Sequence, residues 1–172
     1  MTTVSHLVQF YESEDSLVEL AAAFLADGAL AGELLIVIAT ALHRGGIAAA
    51  LAAKAPGADR FIFFDADETL SSFMAGTTPI DDFMRREIEL ALTAGGASQQ
   101  VPIRVYGELA DLLIRYGNIE TALAAEDFCS SFVKSRAISF LCAHGLENFY
   151  EDSTGCLLHE VCVRHERTNP GV

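Results

Sequence analysis

Six side chains able to ligate a soft metal or act as a nucleophile fall within 24 residues near the end of the sequence: Cys142, His144, Cys156, His159, Cys162 and His165. Imidazole and thiolate are the ligands zinc selects. In CLLHEVCVRH they recur as C-x-x-H-x-x-C-x-x-H. On a helix each step advances about 300°, so neighbours lie about 60° apart while Cys156 and His165 face opposite ways. One adjacent pair, completed by Cys142 or His6, can hold a cation, but all four helical positions cannot. There is no C-x-x-C, and buried free thiols are ordinary core residues. The pattern therefore assigns no metal and no cofactor. Cys142 beside a histidine also has the makings of a nucleophile and its base, but no oxyanion device is legible. No catalytic residue is assigned.

A second set consists of polar residues closing short β-like runs: Tyr11, Thr40 with His43, Asp65, Glu108, and Cys142 with His144. In open parallel sheets ligands bind beyond the carboxyl ends of the strands, so a shared edge would make these one site. Taken singly, such residues more often cap helices or face water. Glu108 is the sharpest, set between Gly107 and an apolar helix start, where it needs a partner. Its ordinary role would be to accept N–H groups at a helix N-terminus. Glu126, embedded in ALAAEDF, is expected to pair with Arg104 or Arg115. With His6 and His165 approaching from the chain ends, the predicted ligand-binding set is His6, Tyr11, Thr40, His43, Asp65, Glu108, Cys142 and His165.

The elements that must position these residues follow from periodicity. Leu7–Tyr11, the aliphatic run Leu34–Ala39 and Phe61–Phe64 read as strands, as do VPIRVYG and AISFL further on. Helical spacing runs from a cap at Ser13 or Asp15 to Gly28, and over His43 to Lys54, Glu68 to Met74, Asp82 to Thr93 (capped by Thr78 or Asp81) and Cys156 to Glu166. Between the last two strands two helices meet at the turn Tyr116-Gly117-Asn118. A strand–helix–helix–strand unit of that length needs a crossover, hence parallel strands. Gly95 to Ser98 reads as a surface loop, Gly145 to Thr154 as irregular, and the tail from Thr168 as fraying. The expected fold is an α/β three-layer sandwich around a mainly parallel five-stranded sheet, one domain spanning 1–172.

Composition removes several function classes. At 172 residues, 51% hydrophobic and 20% charged, the chain can bury a full core. A net charge of −13, with only 11 Lys and Arg, opposes binding to nucleic acid or to an anionic membrane. No secretory signal or membrane span is read, and the irregularly spaced cysteines suit reduced thiols in the cytoplasm. The turn YESEDS after the first strand has no glycine or lysine and three acids, so it lacks the phosphate cradle of a Walker loop.

HLVQFYESEDSLVELAAAFLADGALAGELLIVIATALHR, FFDADETLSSFM, IRVYGELADLLIRYGNIETALAAEDF, SFLCAH and VCVRHE, in that order, resemble the MEDS (methanogen/methylotroph, dichloromethane-regulator) sensory domain. Family-typical positions matched are His6, Gln9, Tyr11, Gly32-Glu33, Thr40, His43, Asp65, Gly107-Glu108, Glu126, Cys142, Cys162 and His165. His144 stands where the family usually has Tyr, and Glu166 where it often has Ser. The resemblance implies a RecA/KaiC-like fold that has lost its P-loop, and a non-catalytic bacterial or archaeal signalling domain. It implies a small organic ligand and an output through a histidine kinase or transcriptional regulator of a two-component pathway, expected here as a separate partner; a homodimer is a further expected assembly. The competing readings are a ligand-free protein–protein interaction module of such a pathway, or a metal-binding or residual NTP-binding protein.

Overall fold

The computed structural model describes residues 5–58, 61–94, 101–135 and 137–170. Strands β1 (Ser5–Tyr11), β2 (Leu34–Ala39), β3 (Phe61–Asp65), β4 (Ile103–Gly107), β5 (Ile138–Gly145) and β6 (Arg167–Pro170) form one sheet in the order β3-β2-β4-β5-β1-β6. Every pairing in it is parallel. Helices α1 (Glu14–Leu30) and α2 (Ala41–Lys54) cover one face. The other carries α3 (Ala66–Ala75), α4 (Ile80–Ala94), α5 (Leu109–Arg115), α6 (Ile119–Ser135) and α7 (Cys156–Cys162). The three-layer sandwich follows from strands such as LLIVIA, buried at every position because both faces are covered.

Strand alternation divides the core in two. Val8, Phe10, Ile36, Val105, Phe140 and Cys142 point toward α3–α7. Tyr11, Leu35, Val37, Tyr106, Leu141 and Ala143 point toward α1 and α2. The joint between α5 and α6 is a Schellman turn: Gly117 takes φ +78°, Asn118 N–H donates to Leu113 O (2.8 Å) and Gly117 N–H to Ile114 O (2.9 Å).

Several boundaries differ from those expected. Ser13, not Asp15, caps α1, its Oγ accepting the Ser16 N–H. Asp65 ends β3 and caps α3, which reaches ten residues because Asp65 Oδ1 takes the Glu68 N–H at 3.0 Å. A 3₁₀ turn, Leu146–Phe149, sits inside the stretch read as irregular, held there by burial of Phe149. Helix α7 stops at Cys162, short of Glu166, because the Glu166 N–H is taken by His6 O (2.8 Å) and the chain turns to run beside β1. The tail is consequently a sixth strand through Pro170 rather than a frayed end. The loop at Gly95 to Ser98 lies outside the described residues.

Candidate functional site

The parallel sheet does bring the carboxyl ends of the strands to one edge, but the eight predicted residues divide among four environments.

Thr40, His43 and Glu108 meet on the α1/α2 side. Glu108 begins α5 without capping it; its side chain serves α2 instead. Oε2 accepts the Thr40 N–H at 2.9 Å, and Oε1 accepts from His43 Nδ1 and from the Tyr106 hydroxyl, both at 2.8 Å. His43 Nε2 meets Glu14 of α1, so each ring nitrogen faces a carboxylate. Burial alone would lower the His43 pKa, but the hydrogen bond and charge of Glu108, then those of Glu14, raise it. Burial and then the Glu108 charge push the Tyr106 phenol well above its usual value.

Tyr11 ends β1 one step away, its ring edge-on to His43 at 6.1 Å between centroids. Its hydroxyl lies 3.5 Å from Asp111, an acid the sequence reading did not single out. Asp111 is buried and accepts from the Gly145 N–H (2.9 Å), the Asn148 amide (2.6 Å) and Arg115 (3.2 Å). Burial raises its pKa despite these donors. The signal for it was the i, i+3, i+7 phase of Glu108, Asp111 and Arg115, which puts all three on one side of α5.

His6, Cys142 and His165 form a third group, within the strands rather than at their tips: His6 is in register with Phe140, and Cys142 with Val8. Glu126 of α6 stands among them, Oε2 lying 3.2 Å from His6 Nε2 and 3.1 Å from His165 Nε2, with Cys142 Sγ 3.4 Å from His6 Nε2. His144 Nε2 holds the other carboxylate oxygen at 2.7 Å. The expected arginine partners are engaged elsewhere, Arg104 with Glu33 (2.7 Å) and Arg115 with Asp111, so Glu126 is a histidine-bound acid. Burial disfavours the His6 and His165 cations, but Cys142 and Glu126 outweigh it, pushing His6 up to about 10 and His165 up to about 9. Glu126 is held well below the usual carboxylate range by the three histidines, against its burial. Burial, then the neighbouring Cys129 thiol and the Glu126 charge, push the Cys142 thiol well above its usual value, against a smaller opposing effect of His6. Of the C-x-x-H-x-x-C-x-x-H pattern, His165 joins this group from beyond the end of α7, whereas Cys156, on the helix, is exposed.

Asp65 is separate from all of these and borders a cleft between α3, α4 and the sheet. The cleft holds about 370 Å³ and is lined by Phe63, Phe64, Asp65, Glu68, Arg86 and Glu87 among others. An apolar void of about 10 Å³ adjoins it, sharing Phe64, Thr69, Phe83 and Glu87 and walled further by Ile36, Ile38, Met84, Ile88 and Leu109. Phe73 packs edge-on against Phe83 (5.3 Å) and so supports the lining from behind.

The β1–α1 turn, where a Walker loop would sit, is only Glu12 and Ser13, too short to wrap a phosphate. Among the described residues no helix is long and apolar enough to cross a membrane. No curated protein and no solved structure matches the chain. The sequence profile of the methanogen/methylotroph, DcmR sensory domain matches residues 5–165, nearly the whole chain. His6, Tyr11, Thr40, His43, Asp65, Glu108, Cys142 and His165 thus all lie inside a matched sensory domain, and the chain belongs to the MEDS family.

Proposed function

We propose that this MEDS domain is a cytoplasmic, non-catalytic sensor that admits a small, mainly apolar organic molecule between α3, α4 and the carboxyl ends of β2 and β3. It then signals to a separate histidine kinase or transcriptional regulator. The observation that carries this reading is the apolar void adjoining a cleft whose lining includes Asp65, Glu87 and Arg86. An apolar wall with a few convergent polar groups is what small-molecule sites require. At about 10 Å³ the void accommodates no more than a water, so a larger guest must displace Phe83 or Met84 and with them α4. Occupancy then favours a shifted α4 through contacts that the closed form lacks, which is the differential affinity a sensor needs.

The remaining predicted residues serve this reading as a frame. The Glu108 N–H donates to Ile38 O at 3.0 Å, and Leu109 follows directly; Ile38 and Leu109 both wall the void. The network of Thr40, His43, Tyr106 and Glu108 therefore fixes the floor against which α4 moves. In the RecA/KaiC-like descent we infer for this sheet, that network occupies the carboxyl edge that a nucleotide phosphate would otherwise use.

The test is methyl-detected NMR of the full chain titrated with short-chain alcohols and halogenated alkanes. Shifts are expected first at Ile36, Ile38, Met84 and Ile88, and Met84→Trp, which fills the void, should abolish them. Shifts centred elsewhere, or none with any of these probes, would overturn the cleft assignment.

A further inference from the structure

The structure assigns a buried four-ligand site for a borderline-soft divalent transition metal, with zinc as its natural occupant, to His6, Glu126, Cys142 and His165. Their ligand atoms all lie within 4.8 Å of one another and come from β1, α6, β5 and the segment after α7. A nitrogen and a carboxylate oxygen on one tetrahedral zinc sit about 3.3 Å apart, and a nitrogen and a sulfur about 3.5 Å apart, given bonds of about 2.05 Å to nitrogen and oxygen and about 2.3 Å to sulfur. The observed separations of 3.1, 3.2 and 3.4 Å are close to those edges.

Proton placement favours a cation at the centre. His6 Nδ1 lies 2.8 Å from Ser130 Oγ and 3.1 Å from the Arg164 carbonyl. The Ser130 hydroxyl donates to that same carbonyl at 2.6 Å, so Ser130 can only accept from His6. His165 Nδ1 faces the Val161 carbonyl at 2.7 Å. Both Nδ1 atoms must therefore carry hydrogen, which in neutral imidazole leaves the Nε2 lone pairs directed at the cluster. Backbone carbonyls that fix the tautomer in this way are the usual outer shell of a metal-bound histidine. His144 orients the Glu126 carboxylate from the other oxygen.

Protons alone satisfy this arrangement poorly. Glu126 Oε2 and His165 Nε2 are buried, and neither has a hydrogen-bond partner despite their short separation. The His6 and His165 rings are also stacked, with centroids 3.9 Å apart, so two imidazoliums would oppose each other. A divalent ion removes both difficulties. One carboxylate and one thiolate balance its charge, giving a neutral centre that can be buried without the penalty of an unpaired ion. Two nitrogens, a sulfur and an oxygen suit zinc or cobalt over magnesium or calcium. Four protein ligands close the coordination sphere, the pattern of a structural site. Bound there, the ion would fasten the segment after α7 to β1, β5 and α6. These elements lie in the opposite half of the sheet from the cleft, so the site stands or falls independently of the ligand reading.

Zinc is to be quantified in the full chain, and the stripped chain titrated with Co²⁺. One zinc per chain is expected, together with tetrahedral visible bands and a thiolate-to-cobalt charge-transfer band. Cys142→Ser should lose the charge-transfer band, whereas Cys156→Ser, altering an exposed thiol, should keep it. If Cys142→Ser does not fold, X-ray absorption of the zinc-loaded chain decides, with one sulfur and three nitrogen or oxygen neighbours expected. Failure of the folded wild-type chain to bind zinc or cobalt would overturn the assignment, as would a charge-transfer band surviving in Cys142→Ser, or zero or several sulfur neighbours.

Discussion

Replacing Glu108 by alanine would strand three donors, the Thr40 N–H, the His43 ring and the Tyr106 hydroxyl, all of which now meet one carboxylate. Breaking a buried pair in this way costs roughly 3–5 kcal/mol, because the surviving groups lose their partner and gain no water. Glu108→Gln keeps an acceptor for Thr40 and should cost less; urea denaturation of both variants measures the difference. The same contact sets a pH dependence. His43 has a folded pKa raised above its unfolded value of 6.5, so its stabilisation is complete below 6.5 and lost as pH rises through the folded value. The stability difference between wild type and His43→Gln should therefore shrink with rising pH, and a difference that grew would contradict it. Glu108 was legible because an acid between glycine and an apolar helix must find a partner. Thr40 and His43 were placed on the same edge as Glu108, but Tyr106 reads as a core residue and Glu14, the second partner of His43, as a first-turn acid. The His6 cluster was partly legible. His6, Val8 and Phe10 alternate on one strand and Cys142 and His144 on another, while Ala122, Glu126 and Cys129 share a helical face. Joining the three requires knowing that α6 lies over β1 and β5, which no local pattern carries.

Helix α1 returns to the sheet through a contact that reverses an ordinary propensity argument. Glycine inside a helix usually costs about 1 kcal/mol relative to alanine, so Gly28→Ala should stabilise α1. A Cβ at Gly28, however, would lie 2.7 Å from Arg104 Cδ and Nε and 2.9 Å from Glu33 Oε2. Arg104 cannot swing aside freely: it bonds Glu33 at 2.7 Å and the Phe24 carbonyl at 2.8 Å, and covers the Phe24 ring. Overpacking of this kind costs about 1–3 kcal/mol, so Gly28→Ala is expected to lower stability in thermal unfolding. A rise in Tm would show that Arg104 yields. The pairing Glu33–Arg104 links the α1–β2 turn to β4 and was not anticipated, since Arg104 had been matched to Glu126. At this scale the regular elements were the legible part. LLIVIA announces a buried strand by unbroken apolar character and AISFL by an apolar run interrupted at Ser139, and helical spacing marks α1, α4 and α6. Strand β6 was hidden because RTNP has no apolar run and owes its conformation to the open flank of β1.

Across the whole molecule, β6 is what covers that flank of the sheet from within the chain. Residues Leu7 to Phe10 pair with β5 on one side and with Arg167 to Pro170 on the other. Deleting residues 167–172 would leave one row of β1 backbone groups unpaired on a buried, apolar strand, the arrangement that recruits a second chain. His165 survives the deletion, so the metal ligands remain and the two effects separate. Against association stands the net charge of −13, whose repulsion weakens as salt shortens the Debye length. The truncated chain should therefore unfold at lower temperature and, in sedimentation velocity, self-associate more at physiological than at low ionic strength. A truncated chain that remained monomeric at both would mean that the exposed row of β1 is not a pairing edge, and that β6 contributes to stability alone.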